Sequence, residues 1–222
     1  MKKSLVLICG ILLANIAQAS ELSDSSYTLC DKMSVVDNLE SIPDSLDAKS
    51  IKESGFKAKR ILVSKSRQEL YLISDDKKVK IFPAVFGKNY REGHKQQEGD
   101  YRTPEGIYTI DYKKGLKESS FHKALHVSYP NKQDVKCAAK KGVSPGGAIM
   151  IHGSKSDQRE TAISEAATIA GVNWTQGCVA VKNANIDLIY DLVPTGTLVE
   201  ICAIPGSSTY TPPESAKNDT CK

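Results

Sequence analysis

A cysteine lies directly after a glycine in residues 174–179, whose sequence is Trp-Thr-Gln-Gly-Cys-Val. Cysteine attacks a carbonyl carbon as the thiolate, and its ordinary pKa of about 8.5 means that a base must take its proton at neutral pH. Glycine adds no side chain, so a substrate can approach Cys178 closely, and backbone N–H groups of such a turn can face an oxyanion. The segment therefore predicts a nucleophilic cysteine at the start of a strand.

Four histidines could supply the base, namely His94, His122, His126 and His152. His152 ends an apolar run and precedes Gly153, which places it at a strand end, where a rigid scaffold displays functional groups. His126 lies between two apolar residues, and we expect its ring to line the same cleft. His94 falls in a polar loop, which is typical of a solvated surface residue. We predict that His152 is the base; a purely structural role is the alternative, because lone histidines often only pack.

The N-terminus has the pattern of a secretory signal peptide. Residues 1–19 carry two lysines directly after Met1, continue as an apolar run and end in Ala-Gln-Ala. The run is shorter than the roughly 20 residues that span a bilayer, which disfavours an uncleaved anchor. We expect an exported protein, located in the periplasm, with no stable membrane insertion.

Export makes the number of cysteines informative, because disulfides form in oxidising compartments. Five cysteines remain after residue 19, and an odd number leaves at least one thiol unpaired. They are Cys30, Cys137, Cys178, Cys202 and Cys221. Counting alone does not say which thiol is free, and a buried, inert cysteine is the alternative to a reactive one.

The charge of the chain argues against nucleic-acid and lipid-headgroup partners. The formal net charge is +4 at pH 7, and loss of the two lysines in residues 1–19 leaves +2. Nucleic-acid-binding domains need a basic stripe and lipid-binding segments a polybasic patch. We expect no nucleic-acid partner.

Short β-type runs dominate the middle of the chain and divide it into four parts. We predict a signal peptide over 1–19, an N-terminal arm over 20–57, a catalytic domain over 58–204 and a C-terminal tail over 205–222. Helix-compatible spacing occurs at 157–170 and, with Asn183 or Asn185 as the cap, up to residue 192. Residues 88–105 form a long polar loop of the kind that is functional or disordered. The fold predicted is mainly β, a sandwich or barrel with two or three inserted helices.

The run 149–153, Ile-Met-Ile-His-Gly, followed by Thr175-x-Gly177-Cys178, resembles the signature of the L,D-transpeptidase (YkuD-type) family. That signature is a His-Gly, a gap and then Ser/Thr-x-Gly-Cys. Further matches run in the same order through residues 59–203. They lie at 61–65, 70–72, 86–87 and 99–106.

The resemblance implies an L,D-transpeptidase-like β domain that acts on peptidoglycan stem peptides through a cysteine thioester, without metal or cofactor. Cys178 corresponds to the nucleophile and His152 to the proton acceptor and donor. Thr175 and Gly177 belong to the nucleophile loop, whose backbone groups are expected to bind the oxyanion. Substrate-binding positions are expected at Gly153, His126 and Tyr129.

Two departures from the family pattern leave the reaction open between transfer and hydrolysis. An arginine commonly follows Gly-Cys-hydrophobic, whereas this chain has Ala180, and Lys182 on the same strand face is the candidate replacement. The gap between His152 and Cys178 is also long. Together with residues 125–130 these features resemble a side branch that includes hydrolases of wall-attached peptides.

Three functions remain distinguishable at this point. The first is an L,D-transpeptidase, with an L,D-specific peptidase of the same fold as the close alternative. The second is a wall-binding module without catalysis, which has no need of a free thiol. The third is a thiol oxidoreductase, which lacks its usual Cys-x-x-Cys pair. For the enzyme we predict that Cys178 is free and that the other four cysteines form two disulfides.

Overall fold

The computed structural model describes residues 29–74, 78–205 and 221. The predicted signal peptide and nearly all of the predicted C-terminal tail lie outside these residues. Within them, no helix combines the length and apolar character needed to cross a membrane.

Nine strands form one curled sheet, which confirms the mainly β prediction. Their order across the sheet is β1-β4-β3-β2-β9-β5-β6-β7-β8. The strands are β1 Glu40–Ser41, β2 Ala58–Ser64, β3 Glu69–Ser74, β4 Lys78–Pro83, β5 Gly106–Lys114, β6 Ala124–Val127, β7 Met150–His152, β8 Val179–Ala180 and β9 Leu198–Cys202.

The chain that follows β4 curls the sheet back on itself. Val85 and Ala180 exchange backbone hydrogen bonds of 2.9 and 2.8 Å, although β4 and β8 lie near opposite ends of the strand order. Gly87 forms a second bridge, to Thr175. An added Cβ at Gly87 would lie 2.2 Å from the carbonyl oxygen of Tyr101, so only glycine permits this approach. Residues 85–87 therefore hold the segment that carries Cys178 at one position before the cysteine and at one position after it.

The described residues contain five α-helices, and three of them are inserted between strands of the β domain. These three are α3 Lys132–Lys140, α4 Gln158–Ile169 and α5 Asn183–Leu192, while α1 Met33–Asp37 and α2 Ala48–Glu53 belong to the N-terminal arm. The helix predicted over 157–170 is confirmed, with Asp157 as its N-cap and Gly171 at φ +71° after its end. The predicted asparagine cap of α5 is wrong, because its N-cap is Lys182 and the Asn183 side chain instead accepts hydrogen bonds from Ser154.

Alternation along β2 gives the sheet two buried faces. Ile61 and Val63 point into the main core, which α5 and the inner strands complete. Leu62 points the other way, into a smaller cluster that includes Leu29 and Val36 from the N-terminal arm. Residues 29–39 of the arm therefore cover this second face of the sheet, whereas Ile51 and Phe56, later in the arm, pack in the main core.

Polar and covalent links fix the arm in place. The carboxylate of Glu200, buried on β9, accepts the backbone N–H of Leu29 at 3.0 Å and that of Cys30 at 3.1 Å, and it pairs with Arg60 at 3.4 Å. Cys30 is disulfide-bonded to Cys202, on the same strand as Glu200. Cys30 therefore tethers the arm to the sheet.

The second disulfide joins Cys137, in α3, to Cys221. Cys178 is the one unpaired cysteine among those that the structure describes. The predicted division into two disulfides and one free thiol agrees with this arrangement, and the structure adds the pairing that counting left open.

Candidate active site

The parallel pairing of β7 with β8 brings the two candidate catalytic residues together. Ile151 is paired with Val179, and His152 with Ala180. Cys178 immediately precedes β8, so the same register places it beside Met150, whose N–H donates to Sγ at 3.4 Å. Because alternate residues share a face, the side chains of Cys178 and His152 lie on the same side of the sheet, one strand apart.

Both residues line one cavity of about 810 Å³. Its walls come from five segments: the loop after β4, the chain around Phe121, the loop before β7, the end of β7 with the residues that follow it, and the nucleophile loop. The lining residues are Lys88, Lys95, Glu98, Gly99, Phe121, Ser144, Gly146, Gly147, Ala148, Ile149, His152, Lys155, Trp174, Thr175, Gln176 and Cys178. The cavity thus combines a free thiol, an imidazole and three lysines.

The His152 ring is held in one tautomer by its neighbours. Nδ1 donates a hydrogen bond of 2.6 Å to the carbonyl oxygen of Gly153, and because a carbonyl can only accept, the proton is on Nδ1. Phe121 stacks on the ring with 3.7 Å between centroids, and Trp174 contacts it edge-on at 5.6 Å. Nε2 is buried, and no group in the described part of the chain bonds to it. This nitrogen is the acceptor available for a proton from the cavity.

Burial keeps both reactive groups neutral at pH 7. It lowers the pKa of His152 to about 4, although the Gly153 carbonyl favours the protonated ring. It raises the pKa of Cys178 to about 11, against the opposing effects of the Met150 N–H and the Lys95 ammonium. The thiol itself is only half-buried and can donate weakly to the carbonyl of Ala148, 3.6 Å away. The resting site is therefore a thiol and a neutral imidazole, and the thiolate must form as its proton is transferred.

The nucleophile loop is closed by the Thr175 side chain. Its hydroxyl donates to the carbonyl of Cys178 at 2.7 Å and accepts the N–H of Gly177 at 3.2 Å. Gly177 has φ +135°, and a Cβ there would lie 2.7 Å from the carbonyl oxygen of Arg102. Thr175 and Gly177 thus set the conformation that presents Cys178, and the Gly177 N–H is already engaged in doing so.

The three predicted substrate-binding residues, His126, Tyr129 and Gly153, are not among the residues that line the cavity. His126 lies outside the cavity lining, because its Nδ1 is bonded to Asp111 at 2.6 Å and its ring stacks on Tyr112, which corrects the expectation that it lines the cleft. Tyr129 is buried, and its hydroxyl donates a hydrogen bond of 2.9 Å to the carbonyl of Pro145, in the loop before β7. Gly153 contributes its carbonyl to His152, and a Cβ there would meet Asn183 at 2.5 Å.

Lys182, the candidate replacement for the arginine of the family pattern, does not line the cavity either. Ala180 is fully buried between His152 and Val85. Lys182 lies beyond the end of β8, as the N-cap of α5, and it is not among the cavity-lining residues. The strand that follows the nucleophile therefore brings no charge to the site.

Sequence reasoning missed the contribution of the loop after β4. His94 is not a solvated surface residue: its Nδ1 accepts the N–H of Glu105 at 3.0 Å and its Nε2 lies 3.0 Å from Asp134. Glu105 in turn forms a buried ion pair with Lys65. Lys95 of the same loop is buried in the cavity wall. The concentration of charged residues among glycines in this loop was the available signal.

One cluster of potential metal ligands occurs among the described residues, and it has a structural role. It consists of Cys30, Cys202 and Glu200. The two sulfurs are joined to each other, and the carboxylate is occupied by backbone N–H groups and Arg60. This cluster lies on the arm side of the sheet, away from the cavity-lining residues.

Comparisons with known proteins agree with the geometry. The model of the L,D-transpeptidase catalytic domain (YkuD) matches residues 58–201. A curated relative, "Putative L,D-transpeptidase YafK" of Escherichia coli (strain K12), is 31% identical over 107 residues, which are 48% of this chain and 34% of the relative. The chain therefore spans about a third of the length of that relative.

Solved structures give weaker similarities. The helical cell shape determining protein Pgp2 of Campylobacter jejuni aligns with a TM-score of 0.45 and 24% identity, over 64% of this chain and 46% of its own. An L,D-transpeptidase of Mycobacterium smegmatis aligns with a TM-score of 0.41 and 16% identity, over 65% and 58%. Because these TM-scores are below 0.5, the assignment rests on the family model. That model covers well over half of the chain and includes His152 and Cys178, so the chain belongs to the L,D-transpeptidase catalytic domain (YkuD) family.

Proposed function

We propose that this protein is an exported peptidoglycan L,D-transpeptidase that works through a thioester on Cys178. The observation that carries the proposal is the β7–β8 register, which places a free thiol and a tautomerically fixed imidazole on one face of the sheet, in one cavity. The membership of the YkuD family supports stem peptides of the cell wall as the substrate class.

In the first half-reaction His152 acts as base and then as acid. Its Nε2 takes the proton of the Cys178 thiol while the sulfur attacks the carbonyl carbon at the L,D bond of a stem peptide. The tetrahedral oxyanion is stabilised by backbone N–H groups of the nucleophile loop other than those of Thr175 and Gly177, which are already bonded to the Phe86 carbonyl and to the Thr175 hydroxyl. When it collapses, the C–N bond breaks, and the same proton passes from Nε2 to the departing D-amino acid. A thioester remains on Cys178.

The second half-reaction reverses the proton transfers. An acceptor amine attacks the thioester carbonyl, His152 takes a proton from the amine, and the C–S bond breaks as the proton returns to sulfur. The neutral resting state suits this cycle, because Nε2 is free to accept at the start and the thiol is restored at the end.

The fixed ring orientation explains why one histidine is proposed for both steps. Gly153 holds Nδ1, and Phe121 and Trp174 restrict the ring plane, so Nε2 has one direction in which to act. Such preorganisation avoids the cost of orienting the base in each cycle. His126, engaged with Asp111, is not proposed as a base.

Hydrolysis of the thioester by water is the second candidate, and the neutral strand after the nucleophile favours it. Ala180 is uncharged and buried, and Lys182 lies outside the cavity lining. A peptide acceptor that carries a carboxylate finds no charge from this strand to bind it. Water then competes more effectively for the acyl group, which would make the protein an L,D-specific peptidase.

Product analysis separates these two reactions. The mature protein is incubated with a tetrapeptide-bearing muropeptide, with and without an excess of D-amino acid or a second muropeptide, and the products are weighed by mass spectrometry. Crosslinked or exchanged peptide supports the transpeptidase, whereas trimmed peptide alone supports the peptidase. Absence of any change, in a protein whose Cys178 is intact, would contradict both and leave the wall-binding module.

The base is tested separately by substituting two histidines. We expect His152→Ala to lose turnover and His126→Ala to keep most of it. Normal activity in His152→Ala together with loss in His126→Ala would show that the base is assigned to the wrong histidine.

A further inference from the structure

A lysine is buried in the wall of the cavity that contains the thiol. Lys95 is 3% exposed and lies in the loop that connects β4 to β5. Buried lysines are rare unless they are paired. Its Nζ donates to the Asp100 carboxylate at 2.8 Å and to the carbonyl of Gln97 at 3.0 Å. An ammonium has three N–H groups, and within the described chain no group takes the third.

Asp100 is itself fixed, which keeps the ammonium in place. Its carboxylate accepts backbone N–H groups from Gln96 at 2.7 Å, Gln97 at 3.1 Å and Arg102 at 3.0 Å. These bonds and Lys95 hold the pKa of Asp100 below its ordinary value although burial opposes this. The loop therefore surrounds one ion pair. If Lys95 moved away, the buried carboxylate of Asp100 would lose its cation.

Contacts with neighbouring segments hold this loop against the cavity. The N–H of Glu98 donates to the carbonyl of Ser144 at 2.8 Å, and Lys141 donates to the Gln96 side chain at 2.7 Å. The Asn89 side chain donates to the carbonyl of Asp100 at 3.0 Å. Because these contacts anchor the loop, the ammonium of Lys95 keeps a fixed position relative to the cavity.

The other charged groups of the cavity are engaged elsewhere. Lys155 is partly exposed and pairs with Glu160 at 2.5 Å. Lys88 lies over the ring of Tyr101 at 5.7 Å, and Glu98 accepts from the Ser144 hydroxyl at 3.2 Å.

Cys178 therefore shares its cavity with a neutral His152 and one buried cation, Lys95. Lys95 is the cation that lowers the pKa of the Cys178 thiol, in opposition to burial. A buried charge has a stronger effect than an exposed one, because less water screens it.

We propose that Lys95 is a positioning charge for the nucleophile: its ammonium, locked by Asp100, stabilises the anionic sulfur of Cys178 when His152 removes the thiol proton. This inference rests on the nucleophile assigned under the proposed function. The proton moves from sulfur to Nε2 of His152, and Lys95 neither gains nor loses one. Its role is electrostatic, and it takes no part in the proton transfer.

The test measures the reactivity of the thiol and needs no substrate. In the oxidised mature protein the described cysteines other than Cys178 are in disulfides, so alkylation by iodoacetamide reports Cys178. The rate is measured as a function of pH for wild type, Lys95→Gln and Lys95→Arg. We expect Lys95→Gln to raise the midpoint by about one pH unit and to slow alkylation at pH 7 about tenfold, since an opposite charge nearby shifts a pKa by roughly one to three units. Lys95→Arg, which keeps the charge, should restore most of the rate.

Two controls make the result specific. Lys155→Gln removes a lysine charge from the same cavity, and the pH midpoint of Cys178 alkylation in this variant should equal that of wild type. The double variant Lys95→Gln/Asp100→Asn removes the buried carboxylate together with its cation. It replaces the single variant if Lys95→Gln does not fold, and the midpoint of its alkylation rate should also be raised. The proposal is overturned if the midpoint of folded Lys95→Gln, or of the double variant, differs from wild type by less than about 0.3 unit, or if Lys155→Gln shifts it as much. A Lys95-dependent thiol that processes no stem peptide would contradict the proposed function and leave this inference standing.

Discussion

The buried, neutral imidazole of His152 should make the protein lose stability in mild acid by a calculable amount. The pKa of this ring is lowered from 6.5 to about 4 in the folded protein, and the ring is fully buried. Between these two values the unfolded chain binds a proton that the folded chain does not, so the free energy of unfolding falls as the pH decreases through this window. Each pKa unit corresponds to about 1.4 kcal/mol, which gives a total of about 3 kcal/mol.

Part of that total is accessible in a convenient experiment. Between pH 7 and pH 4.5 the linkage relation yields a loss of about 2 kcal/mol from His152 alone. Urea unfolding of wild type and of His152→Gln at both pH values measures it, because glutamine does not titrate. The difference between the two proteins in their change of unfolding free energy isolates the His152 contribution from that of all other groups.

The internal control lies at higher pH. Between pH 7.5 and 8.5 His152 is neutral in both the folded and the unfolded chain, so the two proteins should change in parallel. The m-values should agree across the series, because a difference would signal a departure from two-state unfolding. An equal loss of stability in wild type and in His152→Gln on going to pH 4.5 would refute the claim that the ring is buried and neutral.

Three further predictions concern other parts of the molecule. Cys178→Ala should abolish labelling by a carbapenem and all turnover while leaving the melting temperature within a few degrees of wild type; labelling that persists at another residue would contradict the nucleophile. Gly177→Ala introduces strain at φ +135° and a contact of 2.7 Å with the Arg102 carbonyl, so it should destabilise by about 1–3 kcal/mol and slow alkylation of Cys178, as measured by thermal unfolding and iodoacetamide. Glu200→Ala withdraws the carboxylate from the buried guanidinium of Arg60 and from the arm, and should cost about 3–5 kcal/mol in urea unfolding, whereas a loss below 1 kcal/mol would argue against a structural role for the pair.

The strands, the helix over 157–170 and the candidate catalytic pair could be predicted from the sequence because each depends on local pattern. Apolar runs bounded by polar turns predict strands, and helix-compatible spacing over 157–170 predicts a helix. Cys178 and His152 stand at strand ends beside glycines, and this feature is visible in a few consecutive residues. The free thiol also followed from an odd count of cysteines, which requires no geometry.

Other features were missed or left open because they depend on residues far apart in the chain. Helix α3 was overlooked: its cap is a local box of Asn131 and Asp134, but the lysines that follow resemble a solvated surface segment. The disulfide pairing could not be derived, because Cys30 and Cys202 are 172 residues apart and meet only once the arm covers the sheet.

The composition of the site beyond its two central residues was decided by the tertiary structure. The sequence determined that a thiol and an imidazole are displayed at strand ends, since that depends on the backbone preferences of neighbouring residues. It could not determine that β7 and β8 are adjacent and in a register that puts Cys178 and His152 on one face, nor that Lys95 lies in the same wall. Strand register and loop closure are set by the packing of the whole sheet, and the effect of a charge depends on distance and burial, which no local pattern encodes.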